Sequence, residues 1–168
     1  MIEPRPSAPS WQLRRATEAD VDAIMVLERA TFVTDAWSEQ SMRSEVTGAH
    51  GYYLVAVGLD DPDRIDGYAG LLAPRGAGEG DIQTIAVAPR ARRHGLGRAL
   101  MLALIGEARN RGAREVFLEV RADNPGAQTL YRTLGFEEIG VRPRYYQPDG
   151  VDAIVMRLTV PTPETTIA

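Results

Sequence analysis

The residues best suited by type and spacing to do chemistry lie in one stretch, residues 82–100. It opens as Ile82-Gln-Thr-Ile85-Ala86-Val87 and runs through Pro89 into Arg92-Arg93-His94-Gly95-Leu96-Gly97-Arg98-Ala99-Leu100. The apolar run at 82–87 reads as a buried strand, which Pro89 ends because proline removes a ladder donor. Leu96, Leu100, Ala103 and Leu104 then recur at i, i+4, i+7 and i+8, the spacing of a helix. A strand that turns through glycine into a helix can bind an anion. Gly95 and Gly97 let the main chain come close to a ligand, and first-turn amides have no partner inside the helix. The helix dipole adds partial positive charge, with Arg92, Arg93, His94 and Arg98 around it. The chemistry implied is phosphate binding. Plain turn glycines and a solvated arginine face are the alternative reading of the same residues. The stretch lacks the Gly-Lys-Ser/Thr of a nucleotide phosphate loop and the three spaced glycines of a dinucleotide fingerprint.

Three further residues stand out downstream. Glu119 lies in a strand pattern between Leu118 and Val120, so its side chain points to the opposite face from both. Asn124 occupies a strand-to-helix corner, and Tyr131 lies two helical turns beyond it. Taken singly, each also fits a structural role: an outward strand carboxylate, a helix cap, a core tyrosine. Trp37 and the pair Tyr145-Tyr146 fall in stretches that read as loops, where aromatics mark recognition surfaces.

The elements that position these residues follow from patterning. Residues 1–10 hold three prolines without periodicity and read as a flexible tail. A short strand at 11–15 precedes a helix capped by Thr17 and reaching about Ala30, with Val21, Ile24, Met25 and Leu27 inward. Ser38 caps a second helix. Strands at 52–58 and 65–73 form a hairpin around Asp60-Asp-Pro-Asp. Residues 74–80 read as a glycine-rich turn before the central strand. The helix from Leu96 closes at Gly112, a strand follows at 116–121, and a helix opens at Asn124-Pro125 and ends at Gly135. Two last strands, 136–141 and 153–158, enclose the Tyr145-Tyr146 loop, and residues 159–168 form a polar tail. The expectation is one domain over 11–158.

Composition narrows the function. The chain has 168 residues, 44% hydrophobic and 25% charged, enough for one domain with a core. Its net charge of −4 argues against nucleic-acid or membrane-surface binding. Without cysteine there is no disulfide, thiolate nucleophile or cysteine zinc site, and two distant histidines make a metal centre unexpected. All 19 basic residues are arginine, which excludes lysine Schiff-base chemistry. No apolar run or leader pattern is present, so a cytoplasmic protein is expected.

Taken together, Ile85-Ala86-Val87, Arg92-x-x-Gly95-x-Gly97-Arg98-Ala99-Leu100 and Leu130-Tyr131-x-x-Leu134-Gly135-Phe136 resemble the GNAT acetyltransferase superfamily over residues 11–158. The resemblance implies an α/β (α+β) fold, with a central mixed, mostly antiparallel sheet flanked by helices. It also implies acetyl-CoA held where two parallel strands splay. Ile85, Ala86 and Val87 would pair with its pantetheine arm. The main chain of Arg93, His94, Gly95, Leu96, Gly97 and Arg98 would hold the pyrophosphate, and Asn124 would contact the cofactor.

Within that superfamily, Trp37-Ser38-Glu39, Leu118-Glu119-Val120-Arg121-x-x-Asn124, Arg144-Tyr145-Tyr146 and Asp152-Ala153-Ile154-x-Met156 are most similar to the RimI type. Those enzymes acetylate the N-terminal alanine of a small-subunit ribosomal protein. By that resemblance Glu119 is the general base, Tyr131 the general acid, and Trp37, Tyr145 and Tyr146 bound the acceptor groove, with no metal. Ala36, Gln147 and Val151 depart from the usual pattern, all on the acceptor side. Acetylation of a small amine or a protein lysine, and acetyl-CoA sensing without turnover, remain the alternatives.

Overall fold

The structure is a computed structural model and describes residues 10–161. The expected terminal tails, 1–10 and 159–168, therefore lie mostly outside the described residues.

The elements run β1 (Trp11–Arg15), α1 (Val21–Thr31), α2 (Glu39–Thr47), β2 (Gly51–Gly58), β3 (Ile65–Leu72), β4 (Glu79–Val87), α3 (Leu96–Asn110), β5 (Glu115–Arg121), α4 (Pro125–Thr133), β6 (Glu137–Tyr146) and β7 (Val151–Thr159). Local chemistry accounts for most boundaries. Ser38 caps α2 by accepting from the Ser41 amide, and Asn124 caps α4 by accepting from Ala127. Gly112 and Gly135, at φ +85° and +104°, take left-handed turns after α3 and α4. Thr17 behaves differently from the expectation. It caps a short 3-10 turn, Glu18–Asp20, whose Asp20 reaches back to the Thr17 amide, and the α-helix starts only at Val21.

All seven strands form one sheet, ordered β1-β2-β3-β4-β5-β7-β6. Every neighbouring pair is antiparallel except β4 and β5. Leu96, Leu100 and Leu104 bury the inner face of α3 against one side of the sheet, each contributing about 2 kcal/mol. On the other side, Val21, Ile24 and Met25 of α1 and Met42 of α2 pack on Tyr53, Val55 and Tyr68. The mixed sheet between helical layers agrees with the fold expected from the sequence.

Three boundaries differ from the sequence reading. β4 begins at Glu79, inside what reads as a glycine-rich turn. Val160, assigned to the polar tail, is buried in the α3-side core. Tyr145 and Tyr146 end strand β6 and do not sit in a loop. β6 is an edge strand interrupted by Gly140, Pro143 and a positive φ at Arg144, and its register with β7 shifts twice. Edge strands tolerate such breaks, which from sequence look like turn signals.

Candidate functional site

The parallel pair β4/β5 holds for three residue pairs, from Glu79↔Glu115 to Asp81↔Phe117, and then stops. Beyond that point β5 remains paired with β7 and β4 with β3, so the two strands part and leave a wedge. One edge of β4, along residues 82–87, faces this gap without a strand partner. A bulge at Gln83 adds to the separation: Gly70 pairs with Thr84 but Leu71 with Ile82. Ile82 accordingly joins the α3-side core, whereas Ala86 packs on the α1 side and Thr84 reaches Glu28 of α1.

The glycine turn lies past the end of β4. Arg93 and Gly95 both adopt positive φ, 66° and 80°, and α3 starts at Leu96. Arg93 is strained there; Gly95 is not. The first intrahelical bond runs from the Ala99 amide to the Gly95 carbonyl, leaving the amides of Leu96, Gly97 and Arg98 outside the helix ladder. Gly97 has ordinary φ, and a Cβ there would meet Leu130 at 3.5 Å, so the fold itself has room for alanine. Arg92 is committed elsewhere, donating from Nε to the Val87 carbonyl at 3.0 Å.

Glu119 and Tyr131 occupy the middle of the wedge. Glu119 is 27% exposed and accepts from Arg142 Nε at 2.8 Å. Its hydrogen bond with Tyr145 holds that phenol above its ordinary pKa. Tyr131 is 7% exposed, edge-on to Phe136 with ring centroids 6.0 Å apart. Burial alone pushes its pKa up to about 12, so it is a phenol at neutral pH. Asn124 stands at the rim with its side-chain oxygen engaged in the α4 cap.

The far end gathers Phe32, Asp35 and Trp37 from the segment between α1 and α2, and Tyr145 and Tyr146 from β6. The two tyrosine rings meet edge to face at 5.1 Å. Arg121 braces this end. Its guanidinium contacts Asp35 at 3.5 Å and Asp149 at 3.1 Å, and it lies 5.2 Å from the Tyr146 ring centroid. Thr34 adds a hydroxyl donated to Asp149 at 2.8 Å. In the sequence Arg121 stands inside the Leu118–Asn124 motif with no task of its own. Asp123 pairs with it from two residues away, but Asp35 and Asp149 lie 86 and 28 residues away, beyond the reach of any local pattern.

A single cavity of about 820 Å³ joins these parts. It brings together Glu119, Tyr131, Asn124, residues 85–87, the turn from Arg93 through Arg98, and Trp37, Tyr145 and Tyr146. His94 is the exception, being exposed with its ring 6.2 Å from Trp11. Arg92, Arg93 and Arg98 line one end of the cavity, and Glu28, Asp35 and Glu119 lie toward the other, where Arg121 is the cation. Glu28 was missed from sequence, although a signal existed: it falls at i+7 from Val21, on the same stripe as Ile24 and Met25.

Residues 21–136 match the family model described as Acetyltransferase (GNAT) family. The chain is 38% identical over 144 residues to the N-alpha-acetyltransferase RimI of Mycobacterium tuberculosis, covering 84% of this chain and 87% of that protein. It is 41% identical over 144 residues to the uncharacterized protein ML0378 of Mycobacterium leprae, of whose length it spans only 38%. Among solved structures, the ribosomal-protein-S18-alanine N-acetyltransferase from Escherichia coli superposes with a TM-score of 0.78 at 30% identity. That match covers 95% of this chain and 99% of the other.

Proposed function

The chain belongs to the acetyltransferase (GNAT) family, whose members use acetyl-CoA, and we propose that it acetylates protein N-termini, with the alanine of ribosomal protein bS18 as its acceptor. The observation that carries the reading is the placement of Glu119 and Tyr131 in one cavity, between a turn of free amides and an aromatic groove. Leu96, Gly97 and Arg98, joined by the main chain of Arg93, His94 and Gly95, would hold the pyrophosphate. The open edge of β4 at residues 85–87 would take the pantetheine arm, with Asn124 at the rim. These residues fit the group: the wedge is open on that edge, and the amides point no bond into their own helix.

In this reading the acceptor amine attacks the thioester carbonyl carbon and its proton passes, through a water, to Glu119. The carbon–sulfur bond breaks, and Tyr131 gives its proton to the departing sulfur. An N-terminal amine with pKa near ~7.7 is neutral about one sixth of the time at pH 7; a lysine amine near ~10.4 is neutral about once in 2,500. A single carboxylate acting through water is a modest catalyst, better matched to the α-amine. An acceptor of this kind is met in the cytoplasm, the compartment we assign.

Mass spectrometry of a peptide beginning with alanine, carrying one internal lysine, tests the proposal when set beside its α-blocked form. Acetylation of the free α-amine and none of the blocked peptide is expected. Equal modification of both would replace the N-terminal reading with a lysine one. Reaction of neither, with small polyamines modified instead, would make this a small-amine enzyme.

A further inference from the structure

Glu28 has no evident reason to be an acid. It lies on the inward stripe of α1, 1% exposed, at a position where its neighbours Ile24 and Met25 are apolar. Its Oε1 accepts the Tyr68 hydroxyl at 2.8 Å and the Thr84 hydroxyl at 3.3 Å. Its Oε2 has no partner at all, the one buried side-chain atom of this kind among the described residues. Leaving such an atom unpaired costs about 1–3 kcal/mol, more when charged.

The missing partner does not come from the surrounding protein. Arg121, the cation at this end of the cavity, is committed to Asp35, Asp123 and Asp149. Asp35 is a like charge that acts with burial to raise the Glu28 pKa. Glu28 nevertheless lines the cavity that holds Glu119 and Tyr131, entering from α1 while Glu119 enters from β5. The Gln83 bulge, which turns Thr84 toward α1, secures the carboxyl at the wedge.

We propose that Glu28 is the receptor for the positively charged acceptor amine: its Oε2 takes the α-ammonium group on arrival, before Glu119 receives the proton. The inference rests on the N-terminal acetyltransferase reading and adds to it a second carboxylate whose task is binding. Most N-terminal amines are protonated at pH 7, so a site that met only the neutral form would discard most collisions. An arriving cation would also favour the ionised form of a carboxyl that burial disfavours.

The test uses calorimetric titration of the full chain, loaded with coenzyme A, against two peptides of one sequence. One begins with alanine; the other carries a propionyl group there, keeping the shape and lacking the amine. Wild type should bind the amine peptide about tenfold more tightly, and Glu28→Gln, which keeps the shape and an oxygen for Tyr68 and Thr84, should bind both within about twofold. Lowering the pH through the raised Glu28 pKa should shrink the wild-type preference, with the propionyl peptide unchanged, and this arm needs no variant. A Glu28→Gln protein that retains the wild-type ratio overturns the Glu28 role and leaves the enzyme reading intact. A wild type that binds neither peptide overturns both.

Discussion

Of the cavity's two ends, the one carrying the glycine turn has its main-chain surface in a single stretch, residues 82–98, with α4 residues such as Asn124 only at its rim. The one carrying Trp37 gathers Glu28 to Trp37, Arg121, and Tyr145 to Asp149 from three separate parts of the chain. The first works through main chain, with amides at a helix start and an unpaired strand edge, so it depends on backbone shape. The second works through side chains held by ion pairs and ring contacts, so it depends on a network. The difference predicts where substitution is tolerated: side chains at the Trp37 end can change without altering the backbone shape of the glycine turn. Ala36, Gln147 and Val151, which depart from the RimI-type pattern, all belong to the second end.

The largest effect should come from breaking the backbone end. Gly95→Val places a β-branched residue at φ +80°, and acetyl-CoA affinity by calorimetry should fall about 100-fold or more. Gly97→Ala sharpens the point: it should leave thermal stability unchanged, because the fold has room, yet weaken acetyl-CoA about tenfold by shielding the amides. Unchanged affinity in both variants would remove the turn from the cofactor site.

Next in size is the centre itself. Glu119→Gln should lower turnover about 100-fold at pH 7 with acetyl-CoA affinity retained. The deficit should shrink as pH rises through the amine's pKa near ~7.7, since the amine then sheds its own proton. Tyr131 leaves that alkaline window open: burial raises its pKa to about 12, so its phenol keeps its proton while the ammonium loses its own. A rate profile in which the deficit stays constant from pH 6 to 10 would return Glu119 to a structural role.

The smallest effect belongs to the network end. Arg121→Gln removes the brace between Asp35 and Asp149 and should raise the peptide KM about tenfold, with acetyl-CoA affinity unchanged. A loss of acetyl-CoA binding instead would mean that the two ends are not separable.

The same division explains what the sequence made legible. The α3 register, the caps at Ser38 and Asn124, and the glycine stops at 112 and 135 depend on neighbours within four residues, and all are as expected. So is the inward and outward alternation around Glu119. The bulge at Gln83 is set by the register of β3 against β4, which no single-strand pattern encodes. Arg121 reads as a motif letter because Asp35 and Asp149, the partners that make it a brace, are distant in sequence. Tyr145 and Tyr146 read as loop because glycine and proline punctuate an edge strand. Glu28 was visible as an acid on an apolar stripe, but its meaning depended on Thr84 coming from the bulge.

The central claim is that both ends serve one reaction, and a crystal structure with coenzyme A joined covalently to an alanine-starting peptide tests it most directly. The account predicts pyrophosphate oxygens on the amides between Arg93 and Arg98, and the pantetheine arm along residues 85–87. It also predicts the alanine nitrogen near Glu119, and the peptide leaving between Trp37 and Tyr145-Tyr146. A peptide that leaves along another face, or a pyrophosphate away from the glycine turn, would contradict it.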